Sequence, residues 1–146
     1  AADRARALVP AVEAVTVVVA GDWAAGPGAS LAVGLAAVTD PETACVSLVD
    51  LPGLPATAVR RVIGGGDHGT ALRRAVHHGV PGHPVVVGSE HRAALIAALS
   101  RDPTHGAGPW LASSDAEPVE CGDLWDGHDQ DHPSSQRGSH GRTVTG

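Results

Sequence analysis

Four groups of residues in this 146-residue chain have types and spacings suited to chemistry on a charged substrate. Asp50 is a lone carboxylate that closes the apolar run CVSLVD and directly precedes Leu51-Pro52-Gly53. Magnesium prefers oxygen ligands and often takes one or two carboxylates plus substrate phosphates, which suits Asp50; a turn former or helix cap uses the same residue type. The segment GDWAAGPGASLAVGL, residues 21–35, sets glycines before a helix start with Ser30 in its first turn. Exposed backbone N–H groups and a positive dipole end there favour an anion or a polar base edge, although an ordinary glycine-rich turn has the same composition. Asp129 and Asp131 are two residues apart in DQDHP, point the same way if extended, and could complete a magnesium site with Asp50. An acidic solvated tail is the alternative for that pair. His83, held between Gly82 and Pro84, could orient a substrate group or simply occupy a turn.

These residues need elements to position them. Residues 1–12 suggest a helix or its last turns, and VTVVVA, residues 15–20, a buried strand. Residues 21–28 form a glycine-rich loop before a helix over 29–38. A buried parallel strand reads as a continuous apolar run, so 45–50 is expected as a strand ending at Asp50, where Pro52 and Gly53 force a turn. That delivers Asp50 to the carboxyl edge of a sheet, where open α/β folds bind ligands. A helix over 55–63 ends at Gly64-Gly65-Gly66. Strands over 70–77 and 84–87 are joined by a turn around 79–82. An amphipathic helix over 90–99 takes Ser89 as its N-cap. A short helix over 109–113 and a strand over 119–121 complete the ordered part, and residues 136–146 cannot bury enough apolar surface to fold alone. Alternating strands and helices indicate an α/β fold, with the paired strands between 69 and 88 making the sheet mixed or adding a hairpin excursion.

Composition narrows the function classes. The length suits one domain. With 2% aromatic residues and no Phe, Tyr or Met, the core must be built from Ala, Val and Leu. A net charge of −6, with arginine as the sole strong base, excludes a basic nucleic-acid stripe. No run approaches a membrane span and no signal peptide opens the chain, so a cytoplasmic protein is expected. Cys45 and Cys121 read as buried reduced thiols within strands, with a disulfide between adjacent strands left open. The remaining histidines lack metal-binding spacing.

The order of the motifs says more than each alone. GDWAAGPGASLAVGL, LVDLPGLPATAVRRV, GVPGHPVVVG and VECGDLWDGHDQDHP together resemble the MobA-like nucleotidyltransferases, and within them the molybdenum cofactor cytidylyltransferases. The resemblance runs from about residue 1 to Pro133 and implies a Rossmann-like three-layer α/β sandwich with a mixed, mostly parallel sheet, of the nucleotide-diphospho-sugar transferase type. It makes 1–133 a partial transferase domain and 134–146 a polar tail. The family's opening triphosphate loop, rich in Gly with Arg and Lys, has no counterpart in this lysine-free chain, which therefore looks like the C-terminal two-thirds of such a domain.

By this resemblance Trp23, Gly26, Gly28 and Ser30 hold the nucleotide, Asp50 with Asp129 and Asp131 holds Mg²⁺, and His83 faces the acceptor. The late family motif has Thr where this chain has His132. The implied reaction moves CMP or GMP from CTP or GTP to a phosphorylated pterin-type acceptor, with a molybdoenzyme as protein partner. A non-catalytic remnant acting as an interaction module, and a metal-sequestering module with a His/Asp tail, are the alternatives.

Overall fold

The computed structural model of the protein describes residues 6–9, 15–39 and 42–127. After a short 3₁₀ turn at Trp23–Ala25 the elements run α1 (Pro27–Ala36), β1 (Thr43–Val46), α2 (Ala56–Ile63), β2 (Leu72–His77), β3 (Val80–Gly88), α3 (Ser89–Arg101), α4 (Gly108–Ala112) and β4 (Glu117–Glu120). The sheet order is β1-β3-β2-β4. β3 pairs antiparallel with β1 and with β2, whereas β2 pairs parallel with β4. The sheet is mixed as expected, but its pairings are not mostly parallel: β3 runs against the other three strands. The reason is local, because β2 and β3 form a tight hairpin through His78 and Gly79, both at positive φ (51° and 83°). Two such residues make the turn whose twist matches a two-residue hairpin. The turn thus falls earlier than residues 79–82, and Gly82, His83 and Pro84 belong to the strand.

Successive residues of β3 face opposite sides of the sheet, and Val85, Val86 and Val87 are all buried. Val85 and Val87 pack with Leu35 of α1, Leu95 and Leu99 of α3 and Leu111 of α4. Val86 packs on the other side with Ala58 and Val62 of α2, Ala75 and Cys121. Helices therefore cover both faces of β3, which explains its continuous apolar run. The core consists of Ala, Val, Leu and Cys, as the lack of aromatics requires.

Further expectations are corrected. Residues 15–20 form no strand: Val15, Val17, Val18 and Val19 are 38–51% exposed. Their β-branched run has the propensity, but a strand needs a neighbour for its ladder, and none of the described strands pairs with it. β1 closes at Val46 rather than at Asp50, so Asp50 sits in a turn beyond the strand. Ser89 is the first residue of α3, not its cap; Gly88 is the N-cap, in extended conformation and without a side-chain bond. The expectation of two buried thiols is also corrected, because Cys45 is exposed and only Cys121 is buried; both are free. Cys45 belongs to β1 and Cys121 directly follows β4, at opposite edges of the sheet order, which rules out a bridge between adjacent strands.

Candidate active site

The segment Gly82-His83-Pro84 is an irregularity in the sheet. Arg74 pairs with Val85 and Val76 with Pro81, so one residue of β2 faces three of β3. Such a bulge bends a strand and re-aims a side chain. Gly82 permits it, because a Cβ there would lie 2.8 Å from the His77 ring. His77 is 4% exposed and fastens the bulge: its Nε2 is 3.0 Å from the His83 carbonyl and its Nδ1 is 3.1 Å from the Trp125 carbonyl. The Trp125 indole meets the His77 ring edge-on at 5.1 Å.

The bulge turns His83 into a cavity of about 510 Å³, where it lies with Ser30 and Leu31 of α1, Ser47 after β1, Arg74 of β2 and the loop at 106–108. Apart from these polar groups the walls are apolar: Val46, Leu48, Val85, Val87, Leu95 and Leu111. The His83 Nδ1 lies 3.5 Å from the Val46 carbonyl at the end of β1. Burial pushes the imidazole below its ordinary range; the Val46 bond opposes this, the Arg74 charge adds to it and the Asp50 charge opposes it. His83 is therefore neutral at pH 7, with a cation and an anion both acting on it. The Asp50 charge thus reaches His83, and the Asp50 Oδ1 is buried without a hydrogen-bond partner.

The glycines at the start of α1 have a tighter role than an open phosphate cradle would need. A Cβ on Gly26 would lie 2.3 Å from the Pro103 carbonyl oxygen, and one on Gly28 would lie 2.3 Å from that of His105. Gly28 N–H already donates to the Pro103 carbonyl at 3.0 Å. The Pro103–His105 backbone is shaped by Asp102, which accepts from Thr104 N–H at 3.2 Å and lies 3.1 Å from His105 Nδ1. These bonds, the Thr104 hydroxyl's first, hold the Asp102 carboxyl below the usual range. The glycines thus seat the start of α1 against this loop, and that seating positions Ser30.

Ser30 also borders a second cavity of about 480 Å³, and Trp23, 71% exposed, lies there rather than with His83. The structure thus brings Ser30 and His83 together around one cavity, with Asp50 electrostatically linked to His83. Asp129 and Asp131 lie outside the described residues. Arg74 was missed by sequence reasoning; the signal was the Arg73-Arg74 pair in a strand, which must send one arginine to each face.

No curated protein matches the chain closely enough to name a relative. A family model described as the MobA-like NTP transferase domain matches residues 2–119, most of the chain, and spans the α1 junction, Asp50, Arg74 and His83. The chain therefore belongs to the MobA-like NTP transferase family, nucleotidyltransferases whose substrate is a nucleoside triphosphate.

Proposed function

We propose that the protein transfers CMP or GMP from CTP or GTP to a phosphorylated pterin-type acceptor such as molybdopterin, with Mg²⁺ bound at Asp50. A cytoplasmic location and a molybdoenzyme partner go with this reading, as does a Rossmann-like three-layer fold, which the helices on both faces of β3 support. The observation that carries the proposal is the buried Oδ1 of Asp50, which has no hydrogen-bond partner and belongs to a carboxylate whose charge acts on His83. A buried carboxylate oxygen without a donor is costly, and a divalent cation offsets that cost. Among the described residues no cluster of three or more His, Cys, Asp or Glu could hold a metal. Magnesium does not require one, because substrate phosphates complete its shell. Asp50 fits as one ligand, and Asp129 and Asp131 are the proposed further carboxylates.

In the transfer, an oxygen of the acceptor phosphate attacks the α-phosphorus of the triphosphate. A new P–O bond forms as the bond to the α–β bridging oxygen breaks, and pyrophosphate leaves with that electron pair. Magnesium, when bound, supplies Lewis acidity and a template for the triphosphate oxygens. Ser30 orients the nucleotide from the first turn of α1, whose start Gly26 and Gly28 seat, and Trp23 flanks it. Neutral His83 binds the acceptor by hydrogen bonding without repelling the metal. The apolar walls exclude water, which would otherwise compete as the nucleophile.

Calorimetric titration with MgCl₂ and CTP or GTP, wild type against Asp50→Ala, tests the reading. Magnesium-dependent binding weakened at least about tenfold in the variant is expected, as for loss of a charged contact. Equal binding in both proteins, or none in either, would contradict it.

A further inference from the structure

Resting on the transferase reading, we propose that Arg74 anchors the acceptor: its guanidinium binds the phosphate of a phosphomonoester whose apolar or planar body fills the cavity beside His83. The two neighbouring arginines of β2 differ sharply in their partners. Arg73, on the opposite face, donates from Nε to Glu117 at 3.0 Å, from Nη2 to the Gly65 carbonyl at 3.3 Å, and from Nη1 to the Ile63 carbonyl. Arg74 has one long bond, Nε to the Gly82 carbonyl at 3.4 Å. It has no carboxylate within ion-pair distance among the described residues.

Arg74 is half-buried and its neighbours in the cavity are mostly apolar. Holding a cation there without a counter-ion costs free energy, and an anionic ligand would offset it. Guanidinium is suited to the task because its planar fork binds phosphate through two parallel hydrogen bonds. The cavity, about 510 Å³, falls within the size range of small-molecule sites. Its apolar walls would take the uncharged body of the ligand while Arg74 takes its charge.

The position also suits the reaction. Arg74 and His83 line the same cavity, and the charges of Arg74 and Asp50 act on His83 with opposite sign. An acceptor phosphate on Arg74 would thus sit in the cavity that His83 also lines, with His83 feeling the charge of the proposed metal carboxylate as well. Arg74 would hold the nucleophile's phosphate while Asp50 handles the triphosphate.

The test is a calorimetric titration with phenyl phosphate, in EDTA and without nucleotide, so that it does not depend on metal or turnover. Wild type and Arg73→Ala are expected to bind equally, with affinity falling as salt rises. Arg74→Ala should weaken binding about ten- to hundredfold, the loss expected for a charged hydrogen-bonded contact, with Arg74→Lys intermediate. Phenol, which lacks the phosphate, should bind wild type far more weakly, and this comparison decides the matter if Arg74→Ala does not fold. Unchanged binding in Arg74→Ala, an equal loss in Arg73→Ala, phenol binding as well as phenyl phosphate, or no binding by wild type would each overturn the proposal. An Arg74-dependent site in a protein that cannot turn over CTP or GTP would sink the transfer reading and leave the anion site standing.

Discussion

Replacing Gly28 by Ala adds one methyl group where the structure has no room for it. The new Cβ would lie 2.3 Å from the His105 carbonyl oxygen and 2.9 Å from that of Pro103, both backbone atoms that cannot rotate away. The start of α1 must therefore draw back from the Pro103–His105 loop, lengthening the 3.0 Å bond from Gly28 N–H to the Pro103 carbonyl. Overpacking costs about 1–3 kcal/mol and the lost bond about 1 kcal/mol. Alanine's better helix propensity returns up to about 1 kcal/mol. We expect Gly28→Ala to destabilise by about 1–3 kcal/mol. Gly34→Ala is the control, since it lies in the same helix with nothing within 4 Å of its added Cβ. It should stabilise by about 0.5–1 kcal/mol. Urea denaturation followed by circular dichroism measures both, with a shifted midpoint at constant slope marking a true stability change. Gly28→Ala as stable as wild type, or both variants moving in the same direction, would refute the claim that Gly28 is there to admit the loop.

Two further outcomes follow from His83 and His77. The folded-state pKa of His83 lies below its ordinary value of 6.5, chiefly through burial, so protons favour the unfolded chain. Its contribution is fully retained above pH 6.5 and declines as pH falls below that value toward the folded-state pKa; His83→Gln should flatten this part of the stability–pH curve, and an unaltered slope would show that His83 is not buried as described. His77→Leu removes the ring that lies between the His83 and Trp125 carbonyls, so thermal melts should show a loss of about 1–3 kcal/mol from the broken hydrogen bond, whereas a wild-type melt would mean that the bulge stands without it.

The helices, the hairpin and the valine strand could be read from residue patterns because their signals are local. The three-and-four spacing of α1, the glycine stop after α2, and the run Val85-Val86-Val87 need no distant partner to be recognised. What failed depends on neighbours. Residues 15–20 have strand propensity but no ladder, and β1 closes four residues short of Asp50. The hairpin turn falls earlier than 79–82 because its positive-φ first position is a histidine, not the usual glycine or asparagine. Gly26 and Gly28 could be spotted as special, but their reason is a loop some 75 residues away in sequence, which no local pattern reveals. Arg74 was equally hidden: composition shows ten strong bases, whereas only the fold shows which of them lines a cavity without a counter-ion among the described residues. Ser30, His83 and Asp50 were legible as chemistry-bearing residues, and it is the bulge that gives His83 its direction.

The central claim is that Asp50 serves a nucleotidyl transfer. The most direct measurement is pyrophosphate release from CTP and from GTP, with Mg²⁺ and a phosphorylated pterin acceptor, comparing wild type with Asp50→Asn. That substitution keeps the shape of the side chain and removes its charge. We expect acceptor-dependent release by wild type with at least one of the two nucleotides, falling by about two orders of magnitude or more in Asp50→Asn, as when transition-state charge stabilisation is removed. Equal rates in the two proteins, or no release by wild type with either nucleotide, would contradict it.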